Sequence, residues 1–169
     1  KDTLYCDPID STKRQSCITV LNILLNSLLR WFAPILSFTT EEIYQLVSKK
    51  NKSIHLENFI DFPKKFENKK LAKKWIELIK IRDICNISIE EKRASKDIGS
   101  SLEAELKIKL NSKFKEIVSD IDLAELCITS KAEVNFDDKN DVAVDAQKAL
   151  GKKCPVCWKI STDPCKRHP

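Results

Sequence analysis

Methionine is absent from the 169 residues, and glycine occurs only twice. So little glycine excludes a barrel or sandwich with many tight turns, and the abundance of Lys, Glu, Leu and Ile favours helix. No apolar run approaches the roughly 20 residues needed to cross a bilayer. The amino terminus, KDTLYCDPID, also lacks the basic-then-apolar form of a secretory leader. A soluble, cytoplasmic protein is therefore expected, and the start at Lys1 without any methionine suggests a piece of a longer polypeptide. A chain of this length buries one good core plus a small appendage.

Histidine is nearly as scarce, with two residues, whereas there are seven cysteines. Cys6, Cys17, Cys85 and Cys127 stand singly and three more cluster at the end, a poor match to a disulfide framework. Reduced thiols fit better. His55 lies alone in a connecting segment, where a partly buried loop residue is a commoner role than a metal ligand.

The net charge of +5 is segregated along the chain. Residues 1–62 carry 7 basic and 7 acidic groups, and residues 63–98 carry 11 and 6. Residues 99–147 reverse the balance with 6 basic and 11 acidic groups, and residues 148–169 return to 6 and 1. A polyanion such as RNA is held by Lys and Arg partly through counterion release, so two basic blocks flanking an acidic one suit such a ligand. A lysine-rich segment such as 63–98 can equally be a solvated helix face.

Apolar residues recur at Cys17, Leu21, Leu24, Leu28 and Trp31, which predicts a helix from Ser11 to Phe32, stopped by Pro34. Thr39 three residues before Glu42, with Phe38 and Ile43 placed as a staple, predicts a capping box opening a second helix to about Lys49. Leu71, Trp75, Leu78, Cys85 and Ile89 mark a third, running to about Asp97. The period then changes: Leu102, Ala104, Leu106, Ile108 and Leu110 alternate with charged residues as a half-buried strand. Asn111 can cap a short helix, and LAELCITS and DVAVDAQ each read as a further strand. The expected fold is mainly α: a helical bundle (1–98), a small α+β unit (99–147) and a metal-binding tail (148–169).

That tail, KCPVCWKISTDPCKRHP, spaces Cys154, Cys157, Cys165 and His168 as C-x2-C-x7-C-x2-H. One zinc ion prefers four tetrahedral sulfur and nitrogen ligands, and a C-x2-C turn sets two thiolates on one side of the metal. A thioredoxin-like redox pair is an alternative, but the surrounding βαβ pattern is missing, and unligated cysteines are another. Trp158 beside Lys152, Lys153, Lys159, Lys166 and Arg167 combines a stacking ring with phosphate-binding cations. The same ring can also pack over the knot as its miniature core, and the two readings are not exclusive.

Several stretches together resemble the C-terminal region of the bacterial-type isoleucyl-tRNA synthetases, within the class I aminoacyl-tRNA synthetases. LLRWFAPILSFTTEEIYQLV resembles the anticodon-binding helical bundle shared with the valyl and leucyl enzymes. IRDICNISIEEKRASKDIGSSLEAELKI resembles the segment ending in the GSSLEA signature, and GKKCPVCWKI resembles the zinc-binding tail of the isoleucyl branch. The resemblance covers nearly the whole chain. It implies a parent enzyme that joins isoleucine to its tRNA with ATP, a fragment that is catalytically inert because HIGH- and KMSKS-type signatures are missing, and anticodon contact through Trp158. The implied partners are isoleucine tRNA and the catalytic domain of the same polypeptide, with a monomer as the expected state. Val156 stands where the family commonly has a basic residue, and CKRH replaces the usual final C-x-x-C, so either His168 takes the last ligand position or the polypeptide continues past Pro169 to its final ligands. A free-standing RNA-binding module and a piece of a valyl-type enzyme are the alternative readings.

Overall fold

A computed structural model describes residues 2–48 and 52–165. The chain falls into two units, Lys1–Glu67 and Asn68–Pro169.

The first unit is helical. A short helix α1 (Asp2–Cys6) precedes α2 (Thr12–Phe32), whose first turn is capped by the Ser11 hydroxyl accepting from the Arg14 amide. The carbonyl of Phe32 then accepts from the amides of both Ile35 and Leu36, so the turn around Pro34 leads directly into α3 (Ser37–Val47). This helix starts earlier than the Thr39–Glu42 spacing suggests and has no side-chain cap. Thr40 lies inside it, donating its hydroxyl back to the Leu36 carbonyl at 2.9 Å, and Phe38 is 92% exposed, too far into solvent to form a staple. Leu29, Ala33, Tyr44 and Ile54 form a small core. Around it, Glu57 takes an ion pair from Arg30 and a hydrogen bond from the Tyr44 hydroxyl, both at 3.0 Å. His55 is exposed rather than partly buried.

The second unit packs a long helix on a mixed sheet. Asn68 caps α4 (Lys69–Ala94) by accepting from the Leu71 amide. Leu78, Ile81, Cys85 and Ile89 recur at helical spacing and are buried in one cluster with the sheet. Each Leu or Ile so buried contributes roughly 1.5–3 kcal/mol. The hydropathy pattern alone assigns this helix to a three-helix bundle ending at residue 98. In the structure the compact units divide after Glu67, because the apolar stripe of α4 is covered by strands.

The central strand β1 (Ala104–Leu110) lies between β2 (Lys131–Phe136), parallel to it, and β3 (Val142–Lys148), antiparallel. Ala104, Leu106, Ile108 and Leu110 are wholly buried while Lys107 and Lys109 face solvent, as the alternation predicts. Asn111 caps the turn before α5 (Lys115–Val118) by accepting from the Lys113 amide. DVAVDAQ is indeed a strand. LAELCITS is not: Leu123–Leu126 forms a single helical turn, α6, because the Asp122 carboxylate accepts from the Ala124 and Glu125 amides. The thiols of Cys85 and Cys127 meet in this core, and that contact together with burial holds the Cys85 thiol well above its ordinary pKa, hence protonated. No disulfide links the described cysteines.

Candidate metal centre and nucleic-acid interface

Beyond β3 the Ala149 amide donates to the Glu103 carbonyl at 2.8 Å, and the chain then turns away into a small hairpin. Its strands are β4 (Lys152–Lys153) and β5 (Ile160–Ser161), paired Lys152 to Ser161 and Lys153 to Ile160. Gly151 makes the hairpin possible. Its φ is +126°, and it lies so close to Ser161 that only a residue without Cβ fits.

At the tip, the Trp158 amide donates to the Cys154 carbonyl at 3.0 Å and the Cys154 amide to the Lys159 carbonyl at 2.9 Å. These two bonds wrap residues 154–159 into a knuckle and force Trp158 into the left-handed region, at φ +63°. The knuckle brings Cys154 and Cys157 to one side, with Cys165 returning from the far end, so that the three sulfurs all lie within 4.8 Å of one another. Cys157 Sγ and Cys165 Sγ are 3.7 Å apart. A tetrahedron with metal–sulfur bonds of about 2.3 Å has an edge of about 3.8 Å, so this spacing fits a thiolate-bound zinc ion. The three-cysteine cluster can hold a metal ion. Cys154 and Cys157 are buried, and burial pushes the Cys157 thiol up to about 11. Metal capture must therefore expel protons, and the metal's own charge supplies the driving force. His168, the expected fourth ligand, lies outside the described residues, as do Lys166 and Arg167.

Trp158 is 59% exposed, so it is not the buried core of the knot. The ammonium of Lys153 sits 5.8 Å from the centre of its ring, a cation–π distance. Lys152 and Lys153 are exposed on β4, and Lys159, the residue after Trp158, is half-buried. Among the described residues none of these three lysines is held by a carboxylate. The basic block on α4 contrasts with them, since Lys74 pairs with Asp120, Lys80 with Glu77, Lys92 with Asp97 and Arg93 with Glu90. Much of the α4 charge is thus spent within the fold, while the hairpin presents cations and an aromatic face together to solvent. Sequence spacing locates the thiols and the tryptophan. It does not flag Gly151, whose requirement is a backbone approach ten residues away.

The family model for the anticodon-binding domain of tRNA ligase matches residues 1–109. The chain is 59% identical over 168 residues to the isoleucine–tRNA ligase of Pelagibacter ubique, covering 99% of this chain and 19% of that protein. It is 40% identical over 173 residues to the isoleucine–tRNA ligase of Bradyrhizobium diazoefficiens, covering 95% of this chain and 17% of that one. With the isoleucine–tRNA ligase of Methylacidiphilum infernorum it shares 42% identity over 161 residues, 95% of this chain and 17% of the relative. The chain thus spans less than a fifth of the length of these curated relatives. The match to the α2–α3 helices, to α4 and to all but the last residue of β1 places the chain in the family of anticodon-binding domains of tRNA ligases.

Proposed function

We propose that this chain is the anticodon-binding part of an isoleucine–tRNA ligase, with its cysteine hairpin as the fingertip that meets unpaired bases. One observation carries the reading: an exposed tryptophan and lysines that pair with no carboxylate among the described residues project from a knuckle whose thiols converge at metal-binding distance. An aromatic face stacks on any unpaired base, and neighbouring cations hold the phosphates on either side. Lys152, Lys153 and Lys159, with Lys166 and Arg167, supply the cations, and the helices ahead of the hairpin grip the stem. Cys154, Cys157 and Cys165, with His168, hold one zinc ion. Zinc here is structural, because a segment this short has too little apolar surface to fold by burial alone.

The chemistry lies elsewhere in the polypeptide. By the names of its relatives the full protein would join isoleucine to its tRNA; we further read it as using ATP in a catalytic domain outside this chain and as working as a monomer in the cytoplasm. This segment's contribution is placement: holding the anticodon arm fixes where the acceptor end can reach.

The test is a gel-shift series with the zinc-loaded chain and an RNA stem-loop copied from the anticodon arm of isoleucine tRNA. Trp158→Ala should weaken binding by about tenfold or more. Lys153→Ala should weaken it less and reduce the dependence of affinity on salt. Metal analysis should find close to one equivalent of zinc, lost in Cys154→Ser. Parental affinity in the Trp158 variant would sink the reading.

A further inference from the structure

The hydroxyl of Ser130 joins two segments that are distant in sequence. It donates to the Leu102 carbonyl at 2.5 Å and accepts from the Ile160 amide at 2.6 Å. Ser130's own amide donates to the Ala104 carbonyl at 3.0 Å, which anchors it to the first residue of β1. Ile160, on the other side, belongs to β5 and pairs with Lys153, next to Cys154. The hydroxyl therefore bridges the sheet and the root of the cysteine hairpin.

A second tether lies nearby, the Ala149 amide on the Glu103 carbonyl. Leu102 and Glu103 belong to the turn GSSLEA, which itself is braced by the Glu103 carboxylate accepting from the Gly99 amide at 2.9 Å. Successive carbonyls of this turn, Leu102, Glu103 and Ala104, thus receive Ser130 Oγ, Ala149 N and Ser130 N. The turn is a seat, and Ser130 is the side chain that fastens the hairpin to it.

Metal binding explains how the knuckle folds internally. It does not fix the direction in which the knuckle points, because a hairpin with two paired residues per strand has little packing to resist rotation. The hydrogen bonds at its root supply that direction.

We infer that Ser130 is a positioning residue for nucleic-acid recognition: its hydroxyl, seated on the Leu102 carbonyl, orients the metal hairpin so that Trp158 faces the RNA. This rests on the reading of the hairpin as an RNA contact. Loss of the hydroxyl leaves the metal in place but lets the fingertip wander, and the ordering cost is then met at the moment of binding.

Ser130→Thr and Ser130→Val differ only in a hydroxyl against a methyl, so they isolate the bridge. In the zinc-loaded chain both variants should keep one equivalent of metal and full amide-exchange protection in β1. Ser130→Val should exchange the Ile160 amide faster and weaken binding of the stem-loop by about tenfold, while Ser130→Thr stays near parental affinity. Trp158→Ala, run alongside, separates the two ideas. Weakened binding in Trp158→Ala with parental binding in Ser130→Val overturns the role of Ser130 and leaves the RNA reading standing. Parental binding in Trp158→Ala overturns the RNA reading and the inference with it. Loss of metal in both Ser130 variants makes the residue part of the knot's folding, which also overturns the inference.

Discussion

A Cβ placed on Gly151 would lie 2.1 Å from the Ser161 carbonyl oxygen and 2.2 Å from its carbon. Both atoms are backbone of the return strand, so neither can swing aside as a side-chain end would. Gly151→Ala must therefore part β4 from β5, in addition to straining a φ of +126°. The expected result is a chain with an intact sheet and α4 but with zinc affinity lowered by at least about tenfold, since the thiols lose their common frame. Metal competition titration measures the loss, and circular dichroism checks that the helices survive. Parental zinc affinity would show that the knuckle folds without its hairpin.

How much of this was legible in the sequence depends on the range over which each signal acts. The long stripes of α2 and α4 and the strict alternation of β1 repeat several times, so periodicity finds them. The single turn of α6 is too short to show a period; its signal is the one Asp122 cap, which a β-rich reading of LAELCITS overrides. At α3 a plausible capping box was outcompeted by backbone: the Phe32 carbonyl already takes the Ile35 and Leu36 amides, so the helix begins before Thr39. The partner of α4 was not legible, because an apolar stripe says that a face is covered but not by what. In the tail the three cysteines whose sulfurs converge declare themselves by spacing within a dozen residues. Gly151 and Ser130 do not, since their requirements come from atoms ten and thirty residues away.

Ile128 carries a φ of +58°, an uncommon state for a β-branched residue. It follows the cap of α6, where the Ile128 amide donates to the Glu125 carbonyl and the Thr129 amide to the Ala124 carbonyl, a Schellman closure that normally uses glycine. The side chain is 52% exposed, so its packing offsets little of the left-handed strain. Ile128→Gly should stabilise the second unit by about 1 kcal/mol, read as a higher urea midpoint at unchanged slope. A lower midpoint would mean that the exposed isoleucine packs more than its surface suggests.

Glu41 ties α3 to the turn at Ser53–Leu56. One carboxylate oxygen accepts from Gln45 Nε2 at 2.7 Å; the other accepts from the Ser53 hydroxyl and the Ile54 amide, both at 2.8 Å. The hydrogen bond from Gln45, followed by those from Ile54 and Ser53, lowers its pKa below the ordinary 4.5. A depressed carboxyl stabilises the folded state fully above its ordinary value and loses that contribution as pH falls through the depressed one. Thermal melts from about pH 7 to about pH 3 should thus show a fall on the acid side that is shallower in Glu41→Gln, which has no charge to lose. Superimposable pH profiles for parent and variant would remove Glu41 from the account.

Trp158 sits where the backbone asks for glycine. Its φ of +63° costs a non-glycine residue about 1–2 kcal/mol, against the roughly 0.5–1 kcal/mol that glycine loses through its greater freedom when unfolded. Folding of the knuckle is therefore no reason for a tryptophan here, and neither is core packing, since the ring is 59% exposed. The proposed stacking on an unpaired base would account for it. Trp158→Gly should bind zinc as tightly as the parent or slightly more tightly, while its affinity for the anticodon stem-loop falls by about tenfold or more. Trp158→Phe keeps both the strain and a stacking face, so it should fall between the two in RNA affinity and match the parent in zinc affinity. Zinc competition and gel shift on the three proteins decide the matter: if the glycine variant loses metal and RNA together, the ring is holding the knot, and its place at the fingertip is structural.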